Sequence, residues 1–208
     1  MRAVMVLNNY WQWSGGMAQY VSWYEGSPIP YPTPEDWLTF LDYSAKFYKC
    51  MDCQIWYRQH ISTVINHHNP YIGLKYRDDP TIFSWELANE PRRYTDEWID
   101  ETSAYIKSLD PNHLVTTGSE GTPPGELQNF IETHNSPNVD YATIHIWPQN
   151  WGWYDPMNPS SYTETEAKAR SYIQSHSTYA TLLRKPFVLE EFGLARDRNV
   201  SIIVRQNG

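Results

Sequence analysis

Five short apolar runs, Ala3 to Leu7, Thr81 to Leu87, His113 to Thr117, Tyr141 to Ile146 and Pro186 to Glu191, alternate with longer stretches of helical periodicity. Strands joined through helices are laid side by side in parallel, because the helical crossover carries the chain back to the end of the sheet where the previous strand began. The chain therefore predicts an α/β fold in one domain, with no repeat or low-complexity linker. Thr33, Pro34, Glu35 and Asp36 predict a helix start, with a capping hydroxyl, proline at the first helical position and acids in the first turn. Trp37, Leu38, Leu41 and Ala45 would form its inner face. Further helices are expected over Gln54 to His68, from Thr95 to Leu109 with Trp98, Ile99, Tyr105, Ile106 and Leu109 recurring, over Glu126 to Thr133, and over Thr163 to Leu183 with Ala167, Ala169, Tyr172 and Ile173.

The unusual residues gather after the strands, in Asn8 to Gly16, Asn89 to Arg93, Gly118 to Gly125 and Trp147 to Pro159. The partner they would meet is constrained by charge. A net charge of −8 without Lys/Arg clusters argues against nucleic acid, whose binding needs a basic footprint. No apolar run approaches the roughly 18 to 20 residues that span a bilayer, and the first twelve residues do not read as a signal peptide. An uncharged partner fits better. Ten Trp and sixteen Tyr exceed what a core of this size requires, and flat rings bind the C–H faces of sugars. The two cysteines, Cys50 and Cys53, are not completed into a metal or redox motif by His60, His67 or His68, so free thiols, no metal and no cofactor are expected.

Two strands end in acids. The run from Asp79 finishes Trp85-Glu-Leu-Ala-Asn-Glu-Pro-Arg92, and the run from Lys185 finishes Leu189-Glu-Glu-Phe-Gly193. Glu90 and Glu191 can thus face each other across a parallel sheet; the alternative is a pair of strand-end acids bound to Arg92 or Arg196. Side chains alternate along a strand, so only one of Glu190 and Glu191 should point toward the site.

These two endings resemble the fourth and seventh strand ends of glycoside hydrolase family 5, and are most similar to its endo-β-1,4-mannanase branch. Val6-Leu-Asn-Asn-Tyr-Trp-Gln-Trp-Ser-Gly-Gly16, Gly118-Ser-Glu-Gly121 and Thr143-Ile-His-Ile-Trp-Pro148 support the resemblance in the family's order, over about residues 2 to 197. It implies a (β/α)8 barrel of which strands three to seven are present, a catalytic segment over residues 1 to 197, and a divergent tail over 198 to 208. It also implies a retaining hydrolase of β-1,4-mannan, glucomannan or galactomannan that needs no metal, in which Glu90 is the acid/base and Glu191, the acid before Phe-Gly, is the nucleophile. Retention requires carboxyl groups roughly 5 to 5.5 Å apart, against roughly 6.5 to 9.5 Å for inversion. Glu90 should rest protonated and Glu191 ionised.

Asn89 should bond the 2-hydroxyl of the sugar or the nucleophile, His145 should organise the acid/base, and Arg92 and Glu120 should hold sugar on the leaving-group side or simply pair with each other. Trp147 departs from the tyrosine many members carry, and its indole can donate but not accept. Trp11, Trp13, Trp147, Trp151 and Trp153 are candidates for the floor of the cleft. A full barrel has eight strands and about 250 residues; truncation, open sheet edges and doubtful activity alone are therefore expected. A β-1,4-glucanase of the same fold and an inactive sugar-binding fragment remain alternatives. A polymeric substrate implies a secreted or periplasmic protein.

Overall fold

A computed structural model describes residues 1–123, 126–158 and 160–194. Arg196 and the tail 198–208 lie outside them. The five expected strands form: β1 (Ala3–Val6), then, after a two-strand hairpin of β2 (His68–Asn69) and β3 (Leu74–Lys75), β4 (Ile82–Glu86), β5 (Leu114–Thr116), β6 (Ala142–Ile146) and β7 (Phe187–Phe192). β1, β4 and β5 are parallel neighbours in that order, and β6 pairs in parallel with β7. β5 and β6 lie alongside each other without a ladder. Asp140 N–H donates to Val115 O at 2.8 Å, and His145 N–H donates to Glu120 O at 3.0 Å. The single continuous sheet expected from the sequence is thus two pieces stitched at one seam.

Among the described residues six α-helices connect the strands: α1 (Gly16–Glu25), α2 (Leu38–Ala45), α3 (Met51–Ile65), α4 (Asp96–Leu109), α5 (Leu127–His134) and α6 (Ser161–Leu182). α3 buries Cys53, Tyr57, Ile61 and Ile65, one residue per turn, against the sheet. α4 starts where Thr95 accepts from Trp98 N–H and carries Asp96 and Glu97 in its first turn, opposite in sign to that end of the helix dipole. Its buried face is Trp98, Ile99, Thr102, Ser103 and Ile106, so Tyr105 and Leu109 are only half-buried. α6 buries Thr165, Tyr172, His176 and Ala180, leaving Ala167 and Ile173 outside.

Three expectations fail for local reasons. Thr33 and Asp36 close a turn by reciprocal backbone hydrogen bonds, and α2 begins only at Leu38, where Asp36 accepts from Thr39 N–H at 3.0 Å. The later start rotates the helix, so Phe40, Tyr43 and Ser44 are buried while Trp37 and Leu38 face out. Helix α1 was unforeseen because Gly15 and Gly16 offer no capping side chain; the left-handed Gly26 that ends it was the available signal. The cysteines are joined in a disulfide across the first turn of α3, with Cα atoms 5.2 Å apart, so the free-thiol expectation is corrected. Their i, i+3 spacing, not a metal, completes the pair.

The main core lies between α1, α2, α3, α4 and the β1–β4–β5 sheet, with Trp85, Tyr57 and Phe47 fully buried. A second cluster of Phe130, Ile144, Tyr172 and Ala180 sits between β6, α5 and α6. Val4 and Val6 on β1 and Phe192 on β7 are exposed, in keeping with two open edges. Among the described residues no helix is long and apolar enough to cross a membrane.

Beneath the sheet, buried Asp110 accepts from Trp85 Nε1 at 2.7 Å and from the N–H groups of Asn112 and His113. Burial opposes its charge, but the bonds from Trp85 and His113 win and hold the carboxyl below the usual range. A depressed carboxyl adds stability that is complete above its unfolded value, about 3.9, and is lost as pH falls through the folded one. Asp110→Ala should cost about 3 kcal/mol in urea denaturation by orphaning the Trp85 indole and the turn. That difference from the native protein should shrink below about pH 4; a constant difference would refute the assignment.

Candidate active site

The turn after β4 is built by three segments. Asn89 N–H donates to Asn8 O at 2.9 Å, Tyr10 N–H to Asn89 O at 3.1 Å, and Glu90 N–H to Gly118 O at 2.9 Å. Glu90 has φ +47°, a left-handed conformation that a non-glycine residue holds only when its surroundings over-determine it. Those backbone bonds are the restraint. They aim a buried carboxylate back over the ends of the strands.

Glu90 receives two donors. Trp11 Nε1–H reaches Oε2 at 2.6 Å, and His145 Nδ1, from β6, lies 2.7 Å from Oε1. Burial alone would raise the Glu90 carboxyl, but the hydrogen bond and charge of His145, the Trp11 indole and the Arg92 charge outweigh it and hold it below the ordinary range. His145 moves the other way. Burial disfavours its cation, yet the Glu190 carboxylate facing Nε2, the hydrogen bond to Glu90 and the charges of Glu191 and Glu90 push it up to about 10. Both directions favour an ionised Glu90 with the proton on the imidazole, one hydrogen bond away, the reverse of the protonated Glu90 expected from the sequence.

Glu191 and Glu190 reach the same imidazole. Glu191 Oε2 lies 3.5 Å from His145 Nδ1, and Glu190 Oε2 lies 3.9 Å from Nε2. Strict alternation would forbid this. The β6–β7 register pairs Ile144 with Leu189 but His145 with Glu191, leaving Glu190 as an extra bulged residue. The two acids still differ in access: the Glu191 side chain is 40% exposed and the Glu190 side chain 12%. Trp147 Nε1–H donates to Glu191 Oε2 at 3.0 Å, so indole supplies the contact its donor chemistry allows. Any side chain at Gly193 would collide with that Trp147 ring.

Trp11, Trp13, Trp37, Trp147 and Trp151 surround Glu90 and Glu191 in an open cleft of about 700 Å³, together with Asn89, Arg92, Glu120 and Asn150. Arg92 lies over the Trp11 ring, 4.8 Å from its centroid, and pairs with Glu120. Burial and then the Glu90 charge push Glu120 up to about 7 against the opposing pull of Arg92. Trp153 does not reach this cleft. It lines an adjoining hollow of about 310 Å³ with Trp151, Tyr172, Arg92 and Glu120. Asn89 directs its amide to Asn9 Oδ1 at 3.4 Å rather than to Glu191.

Trp37, Asn150 and Tyr172 were not foreseen as lining residues. Trp37 was assigned to a helix face, and only its rotation outward places it edge-on to Trp11, with ring centroids 5.9 Å apart. Glu86, buried on β4, was also missed. Burial and the charge of Glu190 raise its carboxyl well above the usual range. Its alternation with Ser84 on the inner side of β4 was the signal.

One oxygen each from Glu90 and Glu191 and a ring nitrogen of His145 lie within 4.8 Å of one another. A small cation could span that distance only by displacing the proton from the imidazole nitrogen, because a nitrogen that donates cannot ligate. The arrangement is suited to moving protons and attacking an electrophilic carbon: one carboxylate coupled to a proton store, a second one open to the cleft, and flat rings around both.

The family model described as GH family 5 beta-mannosidase-like matches residues 1–205. Mannan endo-1,4-beta-mannosidase 5 of Arabidopsis thaliana is 32% identical over 94% of this chain and 48% of its own length. The crystal structure of a glycoside hydrolase family 5 mannosidase from Rhizomucor miehei superposes with a TM-score of 0.90 at 40% identity, covering 95% of this chain and 48% of that one. An endo-1,4-beta-D-mannanase from Thermotoga petrophila gives a TM-score of 0.75 at 32% identity, over 100% of this chain and 59% of that one. The chain spans about half the length of the curated relatives it matches. With the family match running over nearly all of its residues, the chain belongs to glycoside hydrolase family 5, among its beta-mannosidase-like members.

Proposed function

We propose that this chain is the catalytic-site portion of a retaining endo-β-1,4-mannanase, with β1 and β4 to β7 as strands three to seven of a (β/α)8 barrel and residues 1 to 197 as the barrel segment. The observation that carries this reading is the approach of one Glu90 oxygen and one Glu191 oxygen to within 4.8 Å of each other beside His145. That separation suits direct attack, whereas inversion needs room for a water molecule between the carboxyl groups.

A Glu191 oxygen attacks the anomeric carbon as the glycosidic C–O bond breaks. The bonding pair leaves with the departing oxygen, which takes a proton from Glu90. Glu90 then removes a proton from water, whose oxygen attacks the same carbon and releases Glu191. Because Glu90 is ionised at rest, the proton is drawn from His145 Nδ1 along the 2.7 Å hydrogen bond. A sugar ring filling the cleft excludes water and favours that transfer by raising the cost of two separated charges.

Trp11, Trp13, Trp37, Trp147 and Trp151 present faces and edges to successive sugars, while Arg92 and Glu120 border the adjoining hollow on the leaving-group side. Mannan, glucomannan or galactomannan is the substrate class this reading takes. A polymeric substrate and the Cys50–Cys53 disulfide support a secreted or periplasmic location.

A second reading has a specific observation behind it. The Rhizomucor miehei structure is named a mannosidase without the word endo, and removal of single sugars from chain ends is the alternative that name leaves room for. Digestion of mannohexaose and cellohexaose, followed by chromatography and by NMR of the first anomer formed, separates these readings. Mixed internal fragments with the β-anomer first are expected from mannohexaose. Mannose alone would select end-cleavage, faster cellohexaose turnover a glucanase, and the α-anomer would exclude retention.

A further inference from the structure

We propose that Glu190, the residue bulged out of the β6–β7 ladder, is a positioning residue that holds His145 with its Nδ1–H aimed at Glu90. Three observations meet on it. The register skips Glu190, which turns a side chain that alternation would send outward toward the imidazole. One carboxylate oxygen is tethered: Tyr141 Oη–H donates to Oε1 at 3.2 Å, and Tyr141 is itself fixed by a 2.8 Å hydrogen bond with Ser84 Oγ. The other oxygen, Oε2, is buried without a hydrogen-bond partner among the described residues, and His145 Nε2 lies 3.9 Å away.

A buried carboxylate oxygen with no donor is costly, and a protonated Nε2 is the group that can relieve it. The imidazole is then gripped from both sides, by Glu190 at Nε2 and by Glu90 at Nδ1, which fixes its ring plane and keeps both nitrogens as donors. The charges around His145 are mostly of one sign. Glu90, Glu190 and Glu191 contact it, while Glu86 from β4 and Glu120 after β5 stand nearby with carboxyls that burial raises, and Arg92 is the nearby cation, paired to Glu120. Burial opposes the imidazolium, and the Glu190 contact is foremost among the interactions that reverse this. Glu190 itself does not line the cleft that Glu90 and Glu191 share.

The kinetic consequence rests on the hydrolase reading, but the geometry can be tested without it. Histidine-labelled protein is titrated by NMR, with the His145 signals assigned by His145→Asn. His145 should keep its imidazolium shifts after the other histidines have titrated. Glu190→Gln should lower its midpoint by a pH unit or more, a tenfold or larger loss of proton affinity. The alkaline limb of kcat on mannohexaose should move down with it. Glu190→Asp, which withdraws the charge by one methylene, should fall between the two, and it carries the same test if the Gln variant does not fold. A His145 midpoint that is ordinary in the native protein, or unmoved by both variants, overturns the proposal. A shifted midpoint without turnover of mannohexaose would leave it standing and sink the hydrolase reading instead.

Discussion

Glu191→Ala is expected to lower kcat on mannan by roughly 10⁵, the scale seen when a hydrolase loses its nucleophile, while leaving the thermal transition within about 2 °C of native. The asymmetry follows from how the residue is held. Its side chain is 40% exposed, and its hydrogen bond comes from one indole, Trp147, whose ring stays packed on Gly193 when the carboxylate is gone. Little folding energy is tied up in it. Chemistry, by contrast, has no substitute among the described residues, because the neighbouring Glu190 is enclosed and tethered to Tyr141. Reducing-sugar release and differential scanning calorimetry on the same preparation test both halves. Equal, background-level release from native and variant would favour a sugar-binding fragment without activity.

Gly118→Ala should do the opposite and damage the fold and the site together. Gly118 has φ +76°, and a Cβ there would come closer than 3.0 Å to Ala88 O and to Glu86 Oε1. The left-handed conformation costs an L-residue about 1 to 2 kcal/mol, and forcing an atom into a packed interior typically costs another 1 to 3. The carbonyl it would strike belongs to the backbone just before Glu90, so a rotamer change cannot relieve the clash. The sum, about 4 kcal/mol, corresponds to a fall in Tm of roughly 10 °C for a chain of this length. Gly118 O also accepts the Glu90 N–H, so any turnover should fall further than the loss of folded protein explains. Ser119→Ala, one residue on, is the control; a Gly118→Ala protein with native Tm would refute the packing argument.

Much of this was legible in the residues because the signals were local. Apolar runs bounded by breakers located the five expected strands to within about two residues, and the recurrence of Trp98, Ile99, Tyr105, Ile106 and Leu109 after Thr95 located α4. Helix α2 was misplaced because the cap pattern at Thr33 is also a turn pattern, and local sequence does not say which closes first. The inner faces of α2 and α6 depended on which neighbours they met.

Glu90, Glu191, His145 and Trp147, the residues proposed for the chemistry, were singled out in the sequence because each sits at or just past the end of a recognisable strand that resembles the family's. Their protonation was not. Which carboxylate is open, where the resting proton lies, and why two adjacent glutamates share one imidazole were decided only when a bulge at Glu190 and the burial of His145 brought five acids around one ring. Side-chain identity is written in the chain, but desolvation and charge proximity exist only between segments, and those segments are dozens of residues apart until the sheet assembles.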